Sequence, residues 1–90
     1  MLNLEEVRKL VTALERDLAR VESGSADVQA LREEVEALRR ALNEPAAGED
    51  VKQGLERVHS RMDTVAEEVK ADAFKAGNYI AAIGRILGLS

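Results

Sequence analysis

The chain has 90 residues, no cysteine, one proline and two aromatic residues, and it carries 13 Lys and Arg against 17 Asp and Glu. Aliphatic and charged residues in this proportion are typical of long helices and coiled coils, and the lack of cysteine excludes disulfides and thiolate zinc sites. Neither half of the chain is basic, so a face that neutralises nucleic-acid phosphates is not predicted.

No targeting or membrane-spanning segment is predicted. Residues 1–6 lack the basic region and the apolar stretch of a secretion signal. The longest stretch without a charged residue, 76–84, has nine residues, whereas about 20 apolar residues are needed to cross a bilayer. We therefore expect a soluble, cytoplasmic protein.

Apolar residues recur at alternating steps of three and four along three runs. The runs are Leu4, Val7, Val11, Leu14, Leu18 and Val21; Val28, Leu31, Val35, Leu38 and Leu42; and Val51, Leu55, Val58, Met62, Val65 and Val69. These steps are the spacing of the a and d positions of a heptad repeat, and strand-like alternation is not found. The pattern therefore predicts an all-α protein.

The first two runs meet near Gly24, where two interpretations are open. In one, Gly24 ends a first helix and Ser25 caps a second, which gives helices much shorter than the third. In the other, a helix over about 2–43 and a helix over about 50–88 have nearly equal lengths and are joined by a turn over 44–49. We prefer the second interpretation, a long antiparallel coiled-coil hairpin in a single domain over 1–90, with a kink or break allowed at Gly24.

The C-terminal segment, residues 73–90, departs from the heptad pattern. Its large apolar residues share one stripe of a helix, and three glycines lie beside that stripe, where small residues allow a neighbouring helix to approach closely. A two-helix hairpin would leave such a stripe exposed, so we expect two hairpins to pair as a four-helix bundle. The predicted interface comprises Leu10, Leu14, Phe74, Gly77, Tyr79, Ile80, Ile83, Gly84, Ile86 and Leu87.

Few residues could support catalysis or bind a metal. The chain has no Gly-rich phosphate loop, no cysteine nucleophile, and no Ser or Thr beside a plausible base. His59 follows Glu56 at the Glu-x-x-His spacing of di-iron bundles, with Asp63 one turn later. Since Val58 and Met62 occupy the core positions, Glu56 and Asp63 are expected to point outward. We predict no enzyme, cofactor or metal site, and this motif is kept as a remote alternative.

These features predict a non-catalytic helical module, a scaffold or adaptor, whose biological role the sequence does not specify. Its expected partners are a second copy of the chain, as a homodimer or a higher homo-oligomer, and another helical protein. Nucleic acid is not expected. The alternative is association with a membrane surface through residues 73–90, which combine the aliphatic stripe with Lys75 and Arg85 and have no acidic residue.

Overall fold

The computed structural model describes residues 3–22, 25–44, 48–70 and 73–88. These residues form four helices: α1 (Leu4–Ala19), α2 (Ala26–Leu42), α3 (Gly48–Glu68) and α4 (Ala76–Leu87). Each helix packs on the next helix in the chain, and α4 also contacts α1, more loosely. No strand occurs in the described part of the chain. The prediction of an all-α protein is confirmed.

The structure corrects the predicted helix lengths. Two helices, α1 and α2, take the place of the single helix over 2–43, and α3 and α4 take the place of the helix over 50–88. The Cα atoms extend 35 × 26 × 18 Å, whereas a straight 42-residue helix is about 63 Å long. The four helices that were expected from two paired hairpins are thus present within one chain. Gly24 and most of the turn over 44–49 lie outside the described residues.

Local hydrogen bonds explain why α1 and α2 are separate. The Ser25 hydroxyl accepts the Val28 N–H at 3.1 Å and caps α2. Arg32 donates to the carbonyl oxygen of Leu18 at 2.9 Å, in the last turn of α1, and to that of Val21 at 2.7 Å, just beyond it. The Arg32 guanidinium therefore adds a donor to the Leu18 carbonyl oxygen, which also accepts the Val21 N–H, and it satisfies the Val21 carbonyl oxygen after the helix has ended.

The heptad positions form the core of this single chain. The buried residues are Val7, Val11, Leu14, Leu18, Val21, Val28, Leu31, Val35, Leu38, Leu42, Val51, Leu55, Val58, Met62 and Val65, joined by Phe74, Ala76 and Ile83. Of the heptad residues, Leu4 is 38% exposed and Val69 is half-buried. No polar or charged residue is buried in the described part of the chain. The three runs identified from sequence thus pack together by folding back on one another.

One glycine inside α3 allows α2 to approach closely. Gly54 is buried, and a Cβ atom added to it would lie 3.0 Å from Leu38 Cδ1 and 3.7 Å from Leu38 Cα. A residue without a Cβ therefore fits where α3 packs closely on Leu38 of α2.

Candidate functional site

The structure places most of the predicted interface residues inside the chain's own packing. Leu14, Phe74 and Ile83 are buried in the core. Five of the others are half-buried large side chains that pack against the core: Leu10, Tyr79, Ile80, Ile86 and Leu87. Gly84 is half-buried. Gly77 is exposed. The apolar stripe of α4 thus faces α3 and α1 of the same molecule, and its buried side chains are not accessible to a partner in this fold.

Two polar contacts fix α4 against α1. The Tyr79 hydroxyl donates to the Asp17 carboxylate, and Arg85 Nη2 donates to Glu6 Oε1 at 3.1 Å. The Tyr79 ring also stacks on Phe74, with ring centroids 5.5 Å apart. Burial and then the bond to Asp17 raise the pKa of Tyr79 to about 12. Tyr79 is therefore an anchor of the fold and is held neutral at ordinary pH.

The position of α4 in the bundle bears on the alternative of membrane-surface association. Across the described ranges, no helix combines the length and the apolar character that a membrane span needs. The exposed side of α4 carries Gly77, Asn78, Ala81 and Arg85, whereas Ile83 is fully buried. An insertion of the aliphatic stripe into lipid would thus require α4 to leave the bundle.

The histidine of the alternative metal motif faces α4. His59 is half-buried, and its Nε2 lies 3.9 Å from the position of a Cβ on Gly84. Among the residues that the structure describes, no three His, Asp or Glu side chains are grouped so that they could hold a metal ion. Glu56 and Asp63 are exposed, as their spacing from the core positions predicts.

Two carboxyl groups meet where α2 begins and α3 ends. Ser25 donates to Glu68 Oε2 at 3.1 Å. A hydrogen bond with Asp27 is the main cause that raises the pKa of Glu68, with desolvation second. Because Glu68 is fully exposed to solvent, this pair connects two helix ends and does not form an enclosed acid-base site.

The outward side of α1 carries a small concave surface that we call the α1 hole, formed by Lys9, Thr12, Ala13 and Arg16. With Arg8 at its edge, it encloses a shallow depression of about 270 Å³. Lys9 has no ion-pair partner within the described residues. Arg16 is 65% exposed and lies 3.7 Å from its neighbour Asp17. The positive charge of this surface is therefore only partly compensated.

The outward side of α3 has the opposite character. Its exposed carboxylates outnumber its exposed cations, with Glu49, Asp50, Glu56, Asp63, Glu67 and Glu68 against Lys52, Arg57 and Arg61. Among these described residues, only Arg57 forms an ion pair, with Glu34. Since α1 and α3 each contact α2 and α4 but not each other, their outward sides point in opposite directions. The net charge of the chain is −4 and its charges are unevenly distributed. Cations predominate on the exposed side of α1, where Glu5 is also exposed, and carboxylates predominate on the exposed side of α3, where Lys52 and Arg61 are also exposed.

Sequence patterns do not single out either surface, because charged residues on the outside of a helix are the ordinary result of solvation. The spacing of Lys9, Thr12, Ala13 and Arg16 was readable in the sequence. The exposure of these residues, and the lack of an ion pair at Lys9 within the described ranges although Glu5 is exposed one turn before it, are known only from the structure.

Comparisons with models of protein families, with curated proteins and with solved structures find no match to this chain.

Proposed function

We propose that this chain is a non-catalytic helical module that acts by binding another protein through an outward helix surface. The α1 hole is the observation that carries the proposal. It is concave, partly uncompensated in charge and built on a helix whose opposite side is anchored in the core by Val7, Val11 and Leu14. A binding surface on a rigid element loses little conformational entropy when a partner is bound.

The titratable groups support binding over catalysis. Active sites tend to gather groups with displaced pKa values in one cleft. Here the pKa is raised for Tyr79, for Glu68 and for Arg39, whose guanidinium donates to Glu15 Oε1 at 2.6 Å. Each of these groups connects two helices and lies in a different part of the bundle. Their pKa shifts thus come from contacts and burial within the folded bundle, at places where two helices meet.

Self-association remains a prediction of the sequence, although α4 does not offer its apolar stripe to a second copy in this fold. It would have to use outward surfaces such as the exposed side of α4 around Gly77 and Ala81. Multi-angle light scattering at micromolar concentration tests it directly. A dimeric or larger mass supports homo-oligomerisation, and a monomeric mass contradicts it.

Membrane-surface association is the second candidate, and it is favoured by the apolar stripe of α4. Because Ile83 is fully buried, vesicle binding through this stripe requires α4 to undock. Flotation with vesicles that contain phosphatidylserine, compared for the wild type and Ile83→Asp, tests this requirement. Flotation of the wild type that the substitution abolishes would favour the membrane, and no flotation would remove this candidate.

Site-specific cross-linking tests the proposed binding function. A photo-reactive amino acid in place of Ala13 is expected to give a discrete adduct in cells, and the same residue in place of Ser60 outside α3 serves as the control. The adduct is identified by mass spectrometry, and binding is reproduced with the purified partner. Adducts of equal amount at both positions, or none at Ala13, would contradict the proposal.

A further inference from the structure

We infer that the α1 hole docks an acidic amphipathic helix of another protein, with an aliphatic side chain inserted between Thr12 and Ala13 and carboxylates paired with Lys9 and Arg16. This inference rests on the proposed binding function and names the chemistry of the partner.

The spacing of the four residues is that of a coiled-coil hole. Lys9, Thr12, Ala13 and Arg16 occupy positions i, i+3, i+4 and i+7 on the exposed side of α1. Four residues in this arrangement receive one side chain of a facing helix in knobs-into-holes packing. The two small residues lie in the middle, so a neighbouring helix can approach closely. The depression of about 270 Å³ is shallow and open, whereas small-molecule pockets enclose most of the ligand surface, so it suits a side chain of a facing helix.

Hydrogen bonds inside the chain make the centre of the hole less polar than its sequence suggests. The Thr12 hydroxyl donates to the Arg8 carbonyl oxygen at 3.0 Å, and it accepts from Arg39 Nη2 at 3.0 Å. Arg8 in turn donates to the Leu42 carbonyl oxygen at 2.7 Å and is held at the edge. An aliphatic side chain that covers Thr12 therefore leaves no hydroxyl group without a partner, and the usual penalty for burying one does not arise.

The charges at the two ends of the hole select an acidic partner. Lys9 has no described ion-pair partner, and the carboxylate nearest to Arg16, that of Asp17, also accepts the Tyr79 hydroxyl. Arg20 lies exposed one turn beyond Arg16 and extends the same side of α1. Carboxylates that flank an inserted aliphatic residue would compensate these cations, as residues at e and g positions do in coiled coils.

A second copy of this chain fits the hole less well. The outward side of α3 supplies carboxylates, but between them it carries Gln53 and Ser60 and no aliphatic residue. Exposed ion pairs contribute about 0–1 kcal/mol each, whereas association costs at least about 4 kcal/mol in lost freedom. Ion pairs alone would not hold two copies together, so the occupant must also bring an apolar side chain.

A designed peptide provides the test with the full chain. The probe is a fluorescein-labelled helical peptide of 21 residues, with Leu at every seventh position and Glu at the flanking positions. Two further peptides replace Glu by Lys, or Leu by Ser. Fluorescence anisotropy is expected to show binding of the Glu/Leu peptide at low salt, at least tenfold weaker binding of the other two, and weaker binding in 0.5 M NaCl.

Variants of the chain locate the binding surface. Lys9→Glu with Arg16→Glu is expected to weaken binding at least tenfold, and Ala13→Leu, which fills the hole without a charge change, several-fold. Lys52→Glu with Arg61→Glu makes the same charge change on exposed positions of α3 and is expected to leave the affinity within twofold. Circular dichroism confirms that each variant is folded.

Four results would overturn the inference. These are no binding of the Glu/Leu peptide, equal binding of the Leu→Ser peptide, equal losses in the α1 and α3 double variants, or binding to phosphatidylserine vesicles in place of the peptide. If the peptide fails while a cross-linked partner is reproduced at Ala13, the partner chemistry is wrong and the binding function stands. If both fail, the binding function is wrong as well.

Discussion

The substitution Ile83→Ala tests whether Ile83 of α4 is buried in the core of one chain or at an interface between two copies. Ile83 is 0% exposed and is the one fully buried large side chain that the described part of α4 contributes. Ile83→Ala removes three carbon atoms, about 2.4 kcal/mol at roughly 0.8 kcal/mol per buried carbon, and the cavity adds to this. We expect a loss of about 3 kcal/mol, within the roughly 2–5 kcal/mol of such substitutions.

Urea denaturation followed by circular dichroism measures this loss. With a slope of about 1.5 kcal/mol per molar urea, the midpoint is expected to fall by about 2 M with the slope unchanged. Ile86→Ala is the matched control, since it makes the same chemical change at a half-buried position of the same helix, and about half the effect is expected. Light scattering on the same samples reports whether the mass changes.

An unchanged urea midpoint together with a smaller assembly for Ile83→Ala would refute the reasoning, because Ile83 would then be buried by a second copy. An equal loss at Ile83 and Ile86 would also contradict the burial on which the magnitudes rest.

Three further predictions concern other parts of the bundle. Gly54→Val brings side-chain atoms against Leu38 and should cost about 1–3 kcal/mol in thermal unfolding, whereas Gly77→Ala, with nothing within 4 Å of its Cβ, should not destabilise. Ser25→Ala removes the cap of α2 and should cost about 1 kcal/mol by the same measurement; an unchanged melting temperature would contradict that role. Tyr79 should ionise near pH 12 in an ultraviolet titration; since the unfolded chain releases this proton near pH 10, its contribution to stability is present below pH 10 and is lost as the pH rises to 12. A midpoint near 10, or the same loss in Tyr79→Phe, would refute this prediction.

The predicted core agrees closely with the structure because burial follows a local repeat. Residues at alternating steps of three and four share one side of a helix whatever that side packs against. Leu4 and Val69 are the exceptions among the heptad residues. Both lie where a helix starts or has just ended, and such positions are less enclosed by neighbouring helices.

The helix breaks were harder to predict. The step from Val21 to Val28 is seven residues, so the repeat continues in register across the loop between α1 and α2. The loop between α3 and α4 contains neither glycine nor proline, and a local signal for it is thus weak. Phe74 is buried there. Folding back at both places lets the apolar runs pack into one core within the chain.

The candidate site, the α1 hole, also depends on tertiary contacts that a local sequence pattern does not reveal. Its four residue types were visible in the sequence, but such a pattern occurs on many solvated helices. The contact of Thr12 with Arg39 arises from the arrangement of α1 and α2, and Lys9 forms no ion pair in the part of the chain that the structure describes, although Glu5 is exposed one turn before it on α1. Both facts enter the proposal, and neither follows from spacing within α1.

The sequence by itself determined that the protein is all-helical, which residues form its core, and that cysteine chemistry is absent. The tertiary structure shows which helices of the same chain cover those apolar stripes. Periodicity records which side of a helix avoids water but not which helix covers it. In the structure, the helices that cover these stripes belong to the same chain. Burial within one chain does not cost the translational and rotational entropy that the association of two chains would cost.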